Sequence, residues 1–239
     1  MCPILRPMRE PTTEMCGRRG LSRAVRTNRV VYFLHMDETP LPPPSTRTRL
    51  LQAALGLVRE QGFSATSVDA LCAAAGVTKG AFFHHFPSKE ALGVAAAGYW
   101  AELTGGLFAA APYHAHPEPL ARVLGYVDFR AGLLRGSLAE FTCLVGTMVQ
   151  ESYASSTAIR DACARTIFGH ADTLEADVAA AMARHGVGGF TAASLAQHTQ
   201  AVFQGAFILA KARDDVAVAA ESVAHLRRYI TLLFGAAPR

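Results

Sequence analysis

No run of about 18 apolar residues occurs in this chain of 239 residues, which excludes a hydrophobic membrane-spanning helix. Catalytic signatures are missing too: there is no GxSxG, no HExxH and no P-loop. The glycines after His185 (His185-Gly-Val-Gly-Gly) have no preceding strand, so a helix end and turn explain them better than a dinucleotide fingerprint. His114 and His116 read as exposed loop rather than metal ligands, and no catalytic residue, metal or cofactor is expected. The five cysteines (Cys2, Cys16, Cys72, Cys143, Cys163) are odd in number and form no CxxC pair. With no recognisable signal peptide, this pattern points to reduced thiols in a cytoplasmic protein. They are expected to be small buried hydrophobes, with redox sensing at Cys143 or Cys163 as the alternative. Internal repeats and strand-period alternation are also absent. Strong charge is lacking: the net balance is +4, and residues 45–92 carry five Lys/Arg against three Asp/Glu. Affinity for a polyanion would therefore have to come from placed contacts rather than a broad positive surface.

What the chain does have is apolar content of 51% with only 18% charged residues, and alanine in many windows, which predicts an all-α protein. Residues 1–44 show scattered Arg, the run Pro40-Leu-Pro-Pro-Pro44 and no sustained helical period. They read either as a basic disordered arm or as an extension upstream of a start at Met36, and the latter is favoured. Ser45 then caps a helix to about Gln61, whose stripe Leu51, Ala54, Leu55 and Val58 faces a core.

The most informative stretch is Thr66–Leu92, TSVDALCAAAGVTKGAFFHHFPSKEAL. Thr66 is an N-cap candidate, Gly76 supplies a left-handed helix end, and Thr78 caps a second short helix with Phe82 and Phe86 four apart on its core side. Pro87 and Ser88 stop that helix and cap a longer one beginning at Lys89. Two short helices around a tight glycine turn form a helix-turn-helix. From about Thr46 to Trp100 the order, spacing and residue types resemble the TetR family of bacterial transcriptional regulators.

That resemblance implies an N-terminal three-helix DNA-binding domain over 45–92 and a C-terminal helical domain over 93–239 for ligand sensing and dimerisation. Thr78 and Lys79 can donate to base edges or phosphates in a major groove, while Gly80 and Ala81 let the backbone approach. Phe83 departs from the family, which usually has a phosphate-bonding tyrosine there. His85 and Lys89 match family phosphate contacts, and His84 is adjacent. Thr46, Arg47 and Ser67 sit at helix N-termini that favour anions. His84 and His85 could also tie binding to pH.

Beyond Lys89, helices are expected to about Ala110, over 119–134, 138–153, 156–185 and 192–213, and from a cap at Asp214 to about Phe234. The last two are apolar around much of their circumference, so they need cover from more than one side. A second copy supplies it through a four-helix interface, as the resemblance also implies. Trp100, Phe108, Phe129, Thr147, Met148, Glu151 and Phe168 are the candidate lining of an effector cavity. The expected function is a homodimeric repressor of palindromic double-stranded operator DNA, released by a small-molecule inducer; the alternative is a constitutive or architectural DNA-binding protein without a ligand.

Overall fold

A computed structural model describes residues 43–235, and the expectations for the N-terminal arm and for a start at Met36 fall outside them. Among the described residues every regular element is helical: α1 Thr46–Gln61, α2 Val68–Ala75, α3 Lys79–His85, α4 Lys89–Ala109, α5 Pro119–Gly132, α6 Leu138–Phe141, α7 Leu144–Ser152, α8 Thr157–His185, α9 Ala192–Arg213 and α10 Val216–Leu233, with a 3₁₀ turn at Pro112–Ala115.

Short polar side chains start these helices by accepting an otherwise unpaired amide of the first turn. Ser45 accepts from Thr48, Thr78 from Ala81, and Ser88 from Ala91. The start of α2 differs from expectation by one residue. Ser67, not Thr66, is its cap, while Thr66 is buried and donates its hydroxyl to the Gly62 carbonyl at 2.6 Å. Thr66 thus closes the end of α1 instead of opening α2.

Gly76 ends α2 in the left-handed region (φ 63°, ψ 43°), and Val77 N donates to Cys72 O at 3.0 Å across the turn. A Cβ built at Gly76 would meet nothing nearer than Arg49 Nη1 at 3.8 Å. Gly76→Ala should therefore cost only the backbone term, about 1–2 kcal/mol, measured by urea unfolding. A cost near zero would show that the turn relaxes out of this conformation.

Two later boundaries also depart from the sequence expectation. The single helix expected over 138–153 is broken at Thr142, whose backbone is extended, and Cys143 restarts it by accepting the Gly146 amide on its sulfur. The break lets one short segment serve two cores: Phe141 faces α9, while Leu144, Val145 and Met148 face α1 and α8. At the α9–α10 corner Asp215, not Asp214, caps α10. Asp214 is the left-handed residue ending α9 (φ 52°), a conformation that Asp tolerates better than most side chains.

One apolar cluster joins α1–α4 to α7 and α8 and contains Leu50, Leu71, Phe82, Leu92, Met148 and Ile159. The boundary expected at residue 92 lies inside α4 and within this cluster. A second cluster fills the space among α5, α8, α9 and α10 around Val123, Tyr126, Val178, Phe203 and Ile230.

Candidate functional site

α3 rests on the core through Phe82 and Phe86, 0% and 3% exposed, and turns its other side to solvent. Thr78, Lys79, Gly80, Phe83 and His84 are exposed along that side, with Ala81 and His85 half-buried at its edge. Phe83 is 50% exposed and meets Phe82 edge-on at 5.2 Å, so an aromatic face is offered outward where a hydroxyl was absent. A Cβ at Gly80 would meet only Thr78 Oγ1 at 3.9 Å, so nothing inside the protein requires glycine there.

The neighbouring candidates are drawn into local contacts. Lys79 pairs with Asp69 of α2 at 3.0 Å, an exposed pair that is weakly held and easily exchanged for another anion. Arg47 is exposed at the start of α1, its guanidinium 5.3 Å from the Phe86 ring centroid, beside half-buried Thr46. Ser67 is exposed and capping α2. The His84 and His85 rings meet at 4.9 Å.

Lys89 is occupied differently from the expectation. Its ammonium donates to the carbonyls of Phe63, Ser64 and Thr66 at 3.0, 3.3 and 3.1 Å, and lies over the Phe63 ring. All three of its donors are thereby used in holding the α1–α2 loop, so its visible role is to brace the helix-turn-helix and not to reach outward.

The C-terminal helices enclose a cavity of about 120 Å³ between α4, α5, α8, α9 and the α6–α7 corner. Trp100 and Phe108 line it as expected from the sequence. Phe129, Thr147, Met148, Glu151 and Phe168 do not. Met148 is fully buried in the other core, and Phe129 packs edge-on against Phe108. Thr147 accepts from Lys211 at 2.8 Å; Phe168 is half-exposed on the outside of α8. Glu151 points toward the N-terminal helices and accepts the Ser64 amide at 2.7 Å.

The polar groups of the cavity were not anticipated. Arg130, Glu140, His170, Gln200 and Gln204 all line it. For His170, Gln200 and Gln204 the signal in the sequence is a polar residue in mid-helix, although positions 130, 170 and 200 meet only after folding. Tyr126 organises three of them. Its hydroxyl accepts from Gln200 Nε2 at 2.6 Å and from Arg130 Nη1 at 2.9 Å, and lies 3.0 Å from His170 Nε2. A hydroxyl has one proton and two lone pairs, so with both lone pairs engaged its proton points to His170 Nε2. His170 is then a neutral acceptor there. Burial, with the Arg130 charge, pushes its pKa down to about 3.

Cavity and α1 are joined through Arg59. This side chain is 2% exposed, donates to Leu55 O at 2.8 Å and to Glu140 O at 3.2 Å, and stacks on Trp100 at 5.0 Å. Burial lowers its pKa to about 10, which leaves it cationic at neutral pH. Of the cysteines, Cys163 is fully buried and its thiol is pushed up to about 12 by burial, which leaves negligible thiolate for oxidation near neutral pH. Cys143 is engaged as the α7 cap.

Residues 50–96 match the family model described as bacterial regulatory proteins, tetR family, and residues 119–221 match the C-terminal domain model of LmrA/YxaF-like transcriptional regulators; together they take in more than half of the chain. The HTH-type transcriptional regulator UidR of Escherichia coli K12 is 42% identical over 57 residues, 24% of this chain and 29% of that protein. The chain thus covers under a third of the length of the curated relatives it matches. Among solved structures, a TetR transcriptional regulator from Chloroflexus aurantiacus is 26% identical with a TM-score of 0.67, covering 78% of this chain and 94% of that one. A TetR family regulator from Agrobacterium tumefaciens shares the fold at 20% identity, with a TM-score of 0.68 over 77% of this chain and 96% of that one.

Proposed function

We propose that this chain, which belongs to the TetR family of transcriptional regulators, is a homodimeric repressor that releases a palindromic operator when a small molecule enters the C-terminal cavity. The observation that carries the DNA half is the solvent face of α3, with Thr78 to His84 displayed on a helix fixed by buried Phe82 and Phe86. Glycine at 80, which no neighbour demands, leaves room for a duplex to approach. Thr78 and Lys79 are assigned to base edges and adjacent phosphates, and Phe83 to packing on the sugar-phosphate backbone. His85, Arg47, Ser67 and Thr46 are assigned to flanking phosphates.

Two such faces must sit about 34–36 Å apart to enter successive major grooves. The last two helices support a dimer that sets this spacing: Ile208 and Leu209 of α9 and Tyr229 and Leu232 of α10 remain exposed although large and apolar. No described helix is long and apolar enough to cross a membrane, so these residues do not belong to a membrane-spanning helix.

The experiment is selection of bound sequences from random duplexes, followed by affinity measurement on the selected operator at fixed salt. The combined variant Thr78→Ala, Lys79→Ala and His85→Ala should weaken specific binding by about 100-fold or more, at roughly 1–3 kcal/mol per good base contact, while overall helical content is kept and stability falls only by the roughly 1 kcal/mol of the lost Thr78 cap. Undiminished specific binding by that variant would remove α3 from the interface.

A further inference from the structure

One cation of the cavity has no carboxylate against it. Arg130 on α5 has no carboxylate oxygen within 4.0 Å among the described residues. The next arginine back on the same helix, Arg122, has one at 2.7 Å in Asp177. Both hydrogens of Arg130 Nη1 are spent, one on Tyr126 and one on Gln200 Oε1 at 2.7 Å. The Nε–Nη2 edge has no hydrogen-bond partner among the described residues. With Nη1 engaged, that edge is the one left to meet a carboxylate through two parallel bonds.

The surroundings restrict what can reach it. The guanidinium carbon is 3.7 Å from the Phe203 ring centroid, with Phe108 and Phe207 near 6 Å. The acid on the lining, Glu140, is turned to its own helix start, where its Oε2 accepts from Ser137 N at 2.7 Å and Ser137 Oγ at 3.0 Å. His170 accepts the Tyr126 proton and adds no second positive charge, so the cavity presents a single cation. Gln204, one turn along α9 from Gln200, lines the same space with no hydrogen bond among the described residues, leaving an amide to orient a ligand. At about 120 Å³ the space is comparable to an apolar cavity of roughly 150 Å³ that admits one benzene ring.

We propose that the effector is a one-ring aromatic monocarboxylate, its carboxylate on the Nε–Nη2 edge of Arg130 and its ring among Phe108, Phe207 and Trp100. The assignment rests on the effector-cavity reading above. It follows from charge and size together: an arginine edge with no carboxylate against it in a largely apolar cavity favours an incoming anion, and a space of about 120 Å³ suits a single ring.

The test is calorimetric titration of the full-length protein with benzoate and, in parallel, its neutral analogue benzamide, with operator retention measured separately under both. Benzoate should bind and benzamide should bind at least about 10-fold more weakly. Arg130→Gln should lower benzoate affinity by roughly 10- to 150-fold, the span for hydrogen bonds to a charged group. Arg130→Lys, which keeps the charge and loses the two-pronged edge, should fall between them. Circular dichroism of each variant guards against misfolding. Equal binding of benzoate and benzamide, no binding of benzoate to a folded wild-type protein, or an Arg130→Gln variant as tight as wild type would each overturn the assignment. The two readings separate cleanly. Benzoate binding that depends on Arg130 but leaves operator retention unchanged supports the ligand class and defeats the inducer role. Release by a neutral compound that is indifferent to Arg130→Gln defeats the ligand class and leaves the inducer role standing.

Discussion

Phe82→Ala should cost the protein about 3–5 kcal/mol, the range for removing a fully buried phenyl ring from a core that cannot collapse around the gap. Phe82 is 0% exposed and stands in the cluster that joins Leu50, Leu55 and Leu71 to Phe86 and Leu92. The loss falls on an element with little stability of its own. Helices α2 and α3 have eight and seven residues, too short to persist in water without tertiary packing. For a chain of this size the melting temperature should drop by roughly 6–20 °C, read by circular dichroism at 222 nm. Phe83→Ala is the control: its ring is half-exposed, so its cost should stay within about 0.5 kcal/mol. A Phe82→Ala protein that melts with wild type would mean α3 is not anchored through this ring, and the display of its outer face would lose its explanation.

The same contrast between near and distant interactions explains what could be read from the sequence. Caps and turns are decided within four residues, so Ser45, Thr78, Ser88 and Gly76 fall where residue type alone puts them. The failures at Thr66/Ser67 and Asp214/Asp215 are each a choice between two adjacent competent residues. Packing made that choice, burying Thr66 and leaving Asp214 to close α9. The break at Thr142 has no glycine or proline to announce it and arises because residues 138–148 must serve two cores. For the cavity, aromatic content alone could not separate Phe108, which lines it, from Phe168, which lies outside. The Tyr126–Arg130–His170–Gln200 cluster depends on three helices converging, which no local pattern encodes.

Arg59 is where an effector signal should be cut most completely. Helix α1 carries α2 and α3, and the guanidinium of Arg59 links it to two residues of the cavity wall, Trp100 by stacking and Glu140 through its carbonyl. A ligand that displaces Trp100 or the α6 corner must shift those contacts, and with them the end of α1. Arg59→Met preserves an unbranched side chain of similar reach and removes the donors and the charge. Because burial penalises the Arg59 charge more than the nearby Glu140 carboxylate favours it, losing that charge also relieves a desolvation penalty, and stability should change by about 1 kcal/mol or less. Coupling should change far more. The ratio of operator Kd with and without a saturating effector, typically 5- to 150-fold in coupled proteins, should collapse to about 1 while operator affinity without effector is retained. Effector binding itself, followed by calorimetry, should persist within roughly the factor of 2–5 expected for loss of one contact to the wall. An Arg59→Met protein that binds the effector and still releases its operator with the full wild-type ratio would move the route of communication elsewhere. Further polar bridges among the described residues are Glu151 to the Ser64 amide, Ser156 to Glu90 and Thr166 to the Ala97 carbonyl, which tie α7 and α8 to the α1–α2 loop and α4.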